Sequence, residues 1–79
     1  MSAPRDVLEY IVRNLVDDPD SIEISETEDG DAVTFHLSVA DDDFGKVIGR
    51  RGRTAHAIRS IVRVAGMRSG IHTRVEIDG

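Results

Sequence analysis

One nine-residue run limits what this 79-residue chain can become: Gly45-Lys46-Val47-Ile48-Gly49-Arg50-Arg51-Gly52-Arg53. It holds three glycines, two β-branched residues and four cations. Glycine at that density interrupts a helix and lets the backbone turn tightly and come close to a ligand. The turn leaves backbone N–H groups without helical partners, and the cations set positive charge beside them. That combination suits an anion, a phosphate above all. The remaining residues read as the scaffold that holds this loop.

The scaffold is one small domain. A chain this short buries roughly 60% of its unfolded surface, enough for one layer of helices on one small sheet. It has no cysteine, which excludes disulfides and thiolate metal sites and fits a reducing compartment. No apolar run approaches the ~20 residues that cross a bilayer. The start, Met1-Ser2-Ala3-Pro4-Arg5-Asp6, lacks the apolar core of a signal peptide, so a cytoplasmic protein is expected.

The net charge of −5 taken alone argues against a polyanionic partner. Its distribution reverses that argument. Residues 1–43 hold thirteen acids and two bases, a sum of −11. Residues 44–75 hold eight bases and no acid, a sum of +8, and Glu76 and Asp78 add −2. A polyanion responds to the field within about a Debye length, ~8–10 Å, not to the total. A solvated basic helix with no partner is the bland reading of the same charges.

Ser2 to Asp18 reads as a helix, with Pro4 in its first turn and Ser2 or Ala3 as the cap. Val7, Leu8, Ile11, Val12, Leu15 and Val16 recur at three- and four-residue spacing and form its apolar stripe. Pro19 ends it. Ser21 to Glu28 alternates weakly and reads as an exposed or edge strand. Asp29-Gly30-Asp31 is a hairpin turn. Ala32 to Ala40 is the clearest strand, with Val33, Phe35, Leu37 and Val39 on one face. Asp41-Asp42-Asp43 then caps a short helix whose buried face is Phe44, Val47 and Ile48. The three carboxylates lack the spacing of a calcium loop. A longer helix runs from Arg53 to Met67, with Ala55, Ile58, Ile61, Val62 and Ala65 inward and Arg53, His56, Arg59 and Arg63 outward. Ile71 to Ile77 closes the order αββααβ as a strand.

Gly49-Arg50-Arg51-Gly52 therefore joins two helices in four residues. Its N–H groups, those opening the next helix, and the positive end of that helix converge on one region. Arg50 and Arg51 supply bidentate donors. A lone G-x-x-G is weak evidence, because glycine turns between helices are common. One preceded by Val-Ile, set after a strand and followed by a basic amphipathic helix, is far more specific.

With Ala57-Ile58 and Ile61 following, Val47 to Arg53 resembles the signature of a KH domain, a module that clamps about four nucleotides of a single strand. The element order is similar to that of type II KH domains, and Gly45 to Arg53 resembles the run of the small bacterial KhpA family. The resemblance implies an α+β fold, a single type II-like KH domain over 1–79 with its helices on one face of a three-stranded sheet. It implies single-stranded RNA as ligand, held at the sugar-phosphate backbone by Gly49, Arg50, Arg51 and Gly52 and flanked by Lys46 and Arg53. The outward face of the long helix would continue this surface at Arg59. Bases would lie in a groove between the two helices and an adjoining strand edge, over an aliphatic floor. One of Val47 and Ile48 contributes to it while the other enters the core, and residues around Phe35 to Leu37 form the far wall. The resemblance further implies a homodimer, a heterodimer with a larger KH protein of the KhpB/Jag type, and roles in post-transcriptional regulation and cell-envelope or division control.

Rival readings are weaker. Gly45-Lys46 is similar to the end of a Walker loop, but Ala40 and Val47 stand where its first glycine and its Ser or Thr belong. His36, His56 and His72 are scattered and suit surface or packing roles. No spacing argues a catalytic triad or a carboxylate pair, so neither an enzyme nor a cofactor is expected. With Tyr10, Phe35 and Phe44 as its aromatics, the chain does not suit a base-stacking platform. A protein-pairing module with weak or no RNA binding is the serious alternative.

Overall fold

A computed structural model describes residues 3–78 of the chain. Helix α1 (Ala3–Leu15) leads through a short turn at Pro19–Ser21 into strands β1 (Glu23–Asp29) and β2 (Ala32–Ser38). A turn at Asp41–Asp43 opens α2 (Phe44–Ile48), and α3 (Arg53–Arg68) and β3 (His72–Asp78) follow. The order is αββααβ, as the sequence predicts. The three-stranded sheet runs β1-β2-β3. β1 and β2 form an antiparallel hairpin in which Glu26 faces Phe35, while β2 and β3 are parallel, with Phe35 beside Val75.

One face of the sheet carries the core. Val33, Phe35 and Leu37 of β2 meet Leu8 and Val12 of α1, Val47 of α2, and Ile58 and Val62 of α3. Period-two alternation turns Thr34, His36 and Ser38 to the open face. There His36 bridges to Glu76 at 3.4 Å and lies 3.1 Å from the Thr27 hydroxyl. No helix among the described residues is long and apolar enough to cross a membrane, and no group of three metal-ligating side chains gathers among them.

Four expectations need correction or narrowing. Helix α1 stops at Leu15, short of Asp18; the proposed cap Ser2 lies outside the described residues. The cause is non-local: the N–H groups of Asp17 and Asp18 donate to the Asp43 carboxylate at 3.1 and 3.0 Å. By the same token the aspartate cluster does not cap through its side chains. Asp43 holds the cap position of α2 but makes no side-chain cap bond, and its carboxylate is buried, 2% exposed, against the end of α1. On the short helix only Val47 is fully buried, while Phe44 and Ile48 are half-buried. On α3, Ala55, Ile58, Val62 and Gly66 are buried, but Ile61 is 50% exposed.

Each free edge of the sheet is met by an arginine. Arg5 of α1 donates to the Ile24 carbonyl on β1 at 3.1 Å, and Arg59 of α3 donates to the Val75 carbonyl on β3 at 3.0 Å. Arg5 also pairs with Glu9 and Glu26, which lets β1 carry a glutamate on its core-facing side.

Candidate nucleic-acid interface

The loop is built by its glycines and anchored by Val47. Val47 enters the core with no exposed surface, while Ile48 stays half-buried beside the loop. Gly49 ends α2, its N–H bonded to the Gly45 carbonyl at 2.8 Å. Its backbone, φ 75° and ψ 175°, lies in a region essentially reserved for glycine. A Cβ there would also stand 2.7 Å from Thr54 Cβ and 2.9 Å from Thr54 N. Residues Arg50–Gly52 make a single tight turn, closed by Gly52 N–H to the Gly49 carbonyl at 3.2 Å. Arg51 is left-handed at φ 57°, ψ 26°, and Gly52 follows at φ 73°, ψ 14° with open space where a Cβ would go.

This turn presents Arg50, Arg51 and Arg53 to solvent. Among the described residues none of the three forms an ion pair or a side-chain hydrogen bond. They stand at the N-terminus of α3, a sixteen-residue helix with no side-chain cap. The positive end of a helix dipole and three uncommitted guanidiniums thus share one exposed corner. That corner can hold a polyanion's phosphates by charge and by bidentate bonds.

Lys46 is placed differently from its neighbours. Its ammonium bonds the Asp17 carboxylate and lies 3.3 Å from Asp43 Oδ1. The hydrogen bond to Asp17 is the main cause that raises its pKa, with Asp43 adding to it. Asp43 is held below the usual carboxylate range, first by the Asp17 backbone N–H, then by that of Asp18 and by Lys46. Lys46 therefore serves a buried carboxylate, whereas the arginines serve no partner.

Arg59 lies away from the loop turn, at the β3 edge. With Arg63, Thr73, Arg74, Val75 and Glu76 it lines a groove of about 410 Å³ between α3 and β3. The strand beside the helix is thus β3. Phe35 and Leu37, the expected far wall, lie in the central strand and are fully buried. Arg74 and Glu76 escaped the sequence reading. The signal available was the alternation of Ile71 to Ile77, which marks a strand but not its position at the sheet's edge. Gly66 also carries more than a helix end: a Cβ there would sit 3.1 Å from the Ile71 carbonyl and closer still to Thr73 Cγ2, so this glycine lets α3 lie against β3.

Residues 5–77 match the family model described as "KhpA/KhpB, KH domain". Among curated proteins, the RNA-binding protein KhpA of Halalkalibacterium halodurans is 45% identical over 71 residues, 90% of this chain and 93% of the relative. The RNA-binding protein KhpA of Clostridium acetobutylicum is 40% identical over 73 residues, 92% of this chain and 97% of the relative. Among solved structures, Era from Aquifex aeolicus superposes with a TM-score of 0.66 over 94% of this chain and 29% of Era. At 17% identity that likeness concerns the fold alone. The family model spans the loop, both flanking helices and all three strands, and on that match the chain belongs to the KhpA/KhpB family of KH-domain proteins.

Proposed function

We propose that the chain binds single-stranded RNA, gripping the sugar-phosphate backbone at Gly49–Gly52 and laying bases along the groove between α3 and β3. The observation that carries this reading is the corner where Arg50, Arg51 and Arg53, free of protein partners, meet the uncapped start of α3. The names of its relatives, which are RNA-binding proteins, support it. Ile48 offers aliphatic surface beside the loop, while Val47 holds the loop to the core. Affinity then comes from phosphates, with a log–log salt slope of about −0.7 per phosphate neutralised on a single strand. A backbone grip carries little sequence preference, which suits an RNA chaperone or post-transcriptional regulator in the cytoplasm.

Titrating labelled single-stranded RNA against wild type and the double variant R50D/R51D, with circular dichroism as a folding control, tests the reading. The variant is expected to stay folded and lose binding. Equal affinities would sink it.

A second reading is favoured by one observation. Ile61, Val64 and Met67 of α3 are 50, 54 and 66% exposed. With Val7 and Ala65, Ile61 and Val64 line a largely apolar groove of about 340 Å³. We propose this face for pairing, in a homodimer or with a KhpB-type KH protein. Light scattering on wild type and I61D/V64D tests it: a monomeric mass for both, with and without the KhpB-type protein, rejects pairing through this face.

A further inference from the structure

The bond from Arg59 to β3 has a consequence for how the groove opens. His72 N–H turns inward to the Asp31 carbonyl at 2.9 Å, whereas Ile71 N–H turns toward α3, to the Gly66 carbonyl at 2.9 Å. Successive residues of a strand point their backbone groups to alternate sides. The N–H and C=O groups of Thr73, Val75 and Ile77 therefore lie on the open edge, and Thr73 and Val75 line the groove that Arg59 and Arg63 flank. An unpaired strand edge of this kind is a ready template for hydrogen-bonding groups. Here Arg59 already occupies it, donating from Nε to Val75 O at 3.0 Å. Yet the residue is exposed overall and pairs with no carboxylate among the described residues.

We propose that Arg59 is a gate on the β3 edge: in the free protein it covers the Val75 carbonyl, and an RNA base seated against this edge displaces it. The released guanidinium then turns to the RNA backbone, where it replaces one carbonyl bond with a charged phosphate contact. The same side chain thus opposes base seating and favours backbone capture. This inference rests on the RNA-binding reading above.

The two opposed roles separate with salt. Arg59→Met keeps an aliphatic stem but removes both the donor and the charge. On a labelled single-stranded RNA of mixed sequence, R59M is expected to bind more weakly than wild type at low salt and more tightly at high salt. The log–log slope should fall by about 0.7, so the affinity ratio swings about fivefold per tenfold change in salt. On an abasic ribose-phosphate oligomer of equal length, R59M should be weaker throughout. Arg59→Lys, which retains charge and a donor, should follow wild type and serves if R59M fails to fold. In that case the Arg59 Nε–H signal in NMR of the wild type should show its bond to Val75 in the free protein and lose it with mixed-sequence RNA but not with the abasic oligomer.

Curves on mixed-sequence RNA that never cross, or that cross equally on the abasic oligomer, overturn the gate while leaving RNA binding in place. An Arg59 signal unchanged by mixed-sequence RNA does the same. A wild type that binds neither ligand at any salt overturns the RNA-binding reading and the gate with it.

Discussion

Gly49 and Thr54 lie so close that a Cβ on the glycine would stand 2.7 Å from Thr54 Cβ. The turn between α2 and α3 is therefore fixed by packing as well as by backbone conformation, φ 75° and ψ 175°. The two glycines of the loop are predicted to differ. Gly49→Ala combines a Gly-only conformation with a steric clash and should cost about 1–3 kcal/mol or more, together with RNA affinity. Gly52→Asn, in an ordinary left-handed position with open space, should cost under about 1 kcal/mol. Urea denaturation of both variants, paired with RNA titration, checks the contrast; equal losses refute it.

Asp43 ties the end of α1 to the start of α2 through two backbone N–H groups and Lys46. Asp43→Asn cannot accept both N–H bonds and loses the charge that Lys46 faces. The melting temperature should fall by on the order of 5 °C or more in a domain of this size. The folded-state pKa of Asp43 is depressed. Its contribution is thus present above the ordinary carboxylate pKa and lost as pH falls through the lower native value. The gap in melting temperature between wild type and D43N should hold from neutral pH to about pH 4 and shrink below it. A gap that widens on acidification contradicts this.

Lys46 and Arg53 sit in the same run but should contribute unequally to RNA binding. Lys46 is already paired with two carboxylates, whereas Arg53 has no partner among the described residues. Arg53→Gln is expected to lower the salt slope by about 0.7, and Lys46→Gln by clearly less. Conversely, K46Q should lower the melting temperature more than R53Q, because it leaves the buried Asp43 without its counter-charge. Salt-dependent titrations and thermal melts of the two variants decide between this ordering and equal roles.

Gly66 and Thr73 test how closely α3 must approach β3. Gly66→Ala should destabilise by about 1–3 kcal/mol through overpacking, despite alanine's better helix propensity. Adding Thr73→Ser removes the nearest methyl, Cγ2, and should recover part of that loss. Strict additivity in the double-mutant cycle would show that the contact does not limit the packing.

The sequence carried the element order because its periodicities are local. Period two in Ala32–Ser38 and three-four spacing through Leu8 and Val12 each name an element without knowledge of its neighbours. The glycine loop was legible for the same reason. What escaped was set by distant parts of the chain. Asp43 looks like a helix cap until α1 arrives to offer two N–H groups. Ile61 belongs to the apolar stripe of α3, but the packing of α3 on α1 and the sheet buries Ile58 and Val62 and leaves Ile61 half exposed. The resemblance implied a groove wall around Phe35 to Leu37, and nothing local in the sequence tells that central strand from an edge strand.

The parallel pairing of β2 with β3 sets Phe35 beside Val75, forty positions later, and the whole stretch from α2 to α3 lies inside that connection. Hairpin β1–β2 closes a short loop and can form on a microsecond scale, whereas the β2–β3 contact must first overcome a long loop's closure entropy. The groove between α3 and β3 exists only once that pairing has formed. Stopped-flow refolding is expected to show RNA capture no earlier than β3 docking. A half-folded chain, however basic its exposed stretch, presents charge without a register in which to hold a strand.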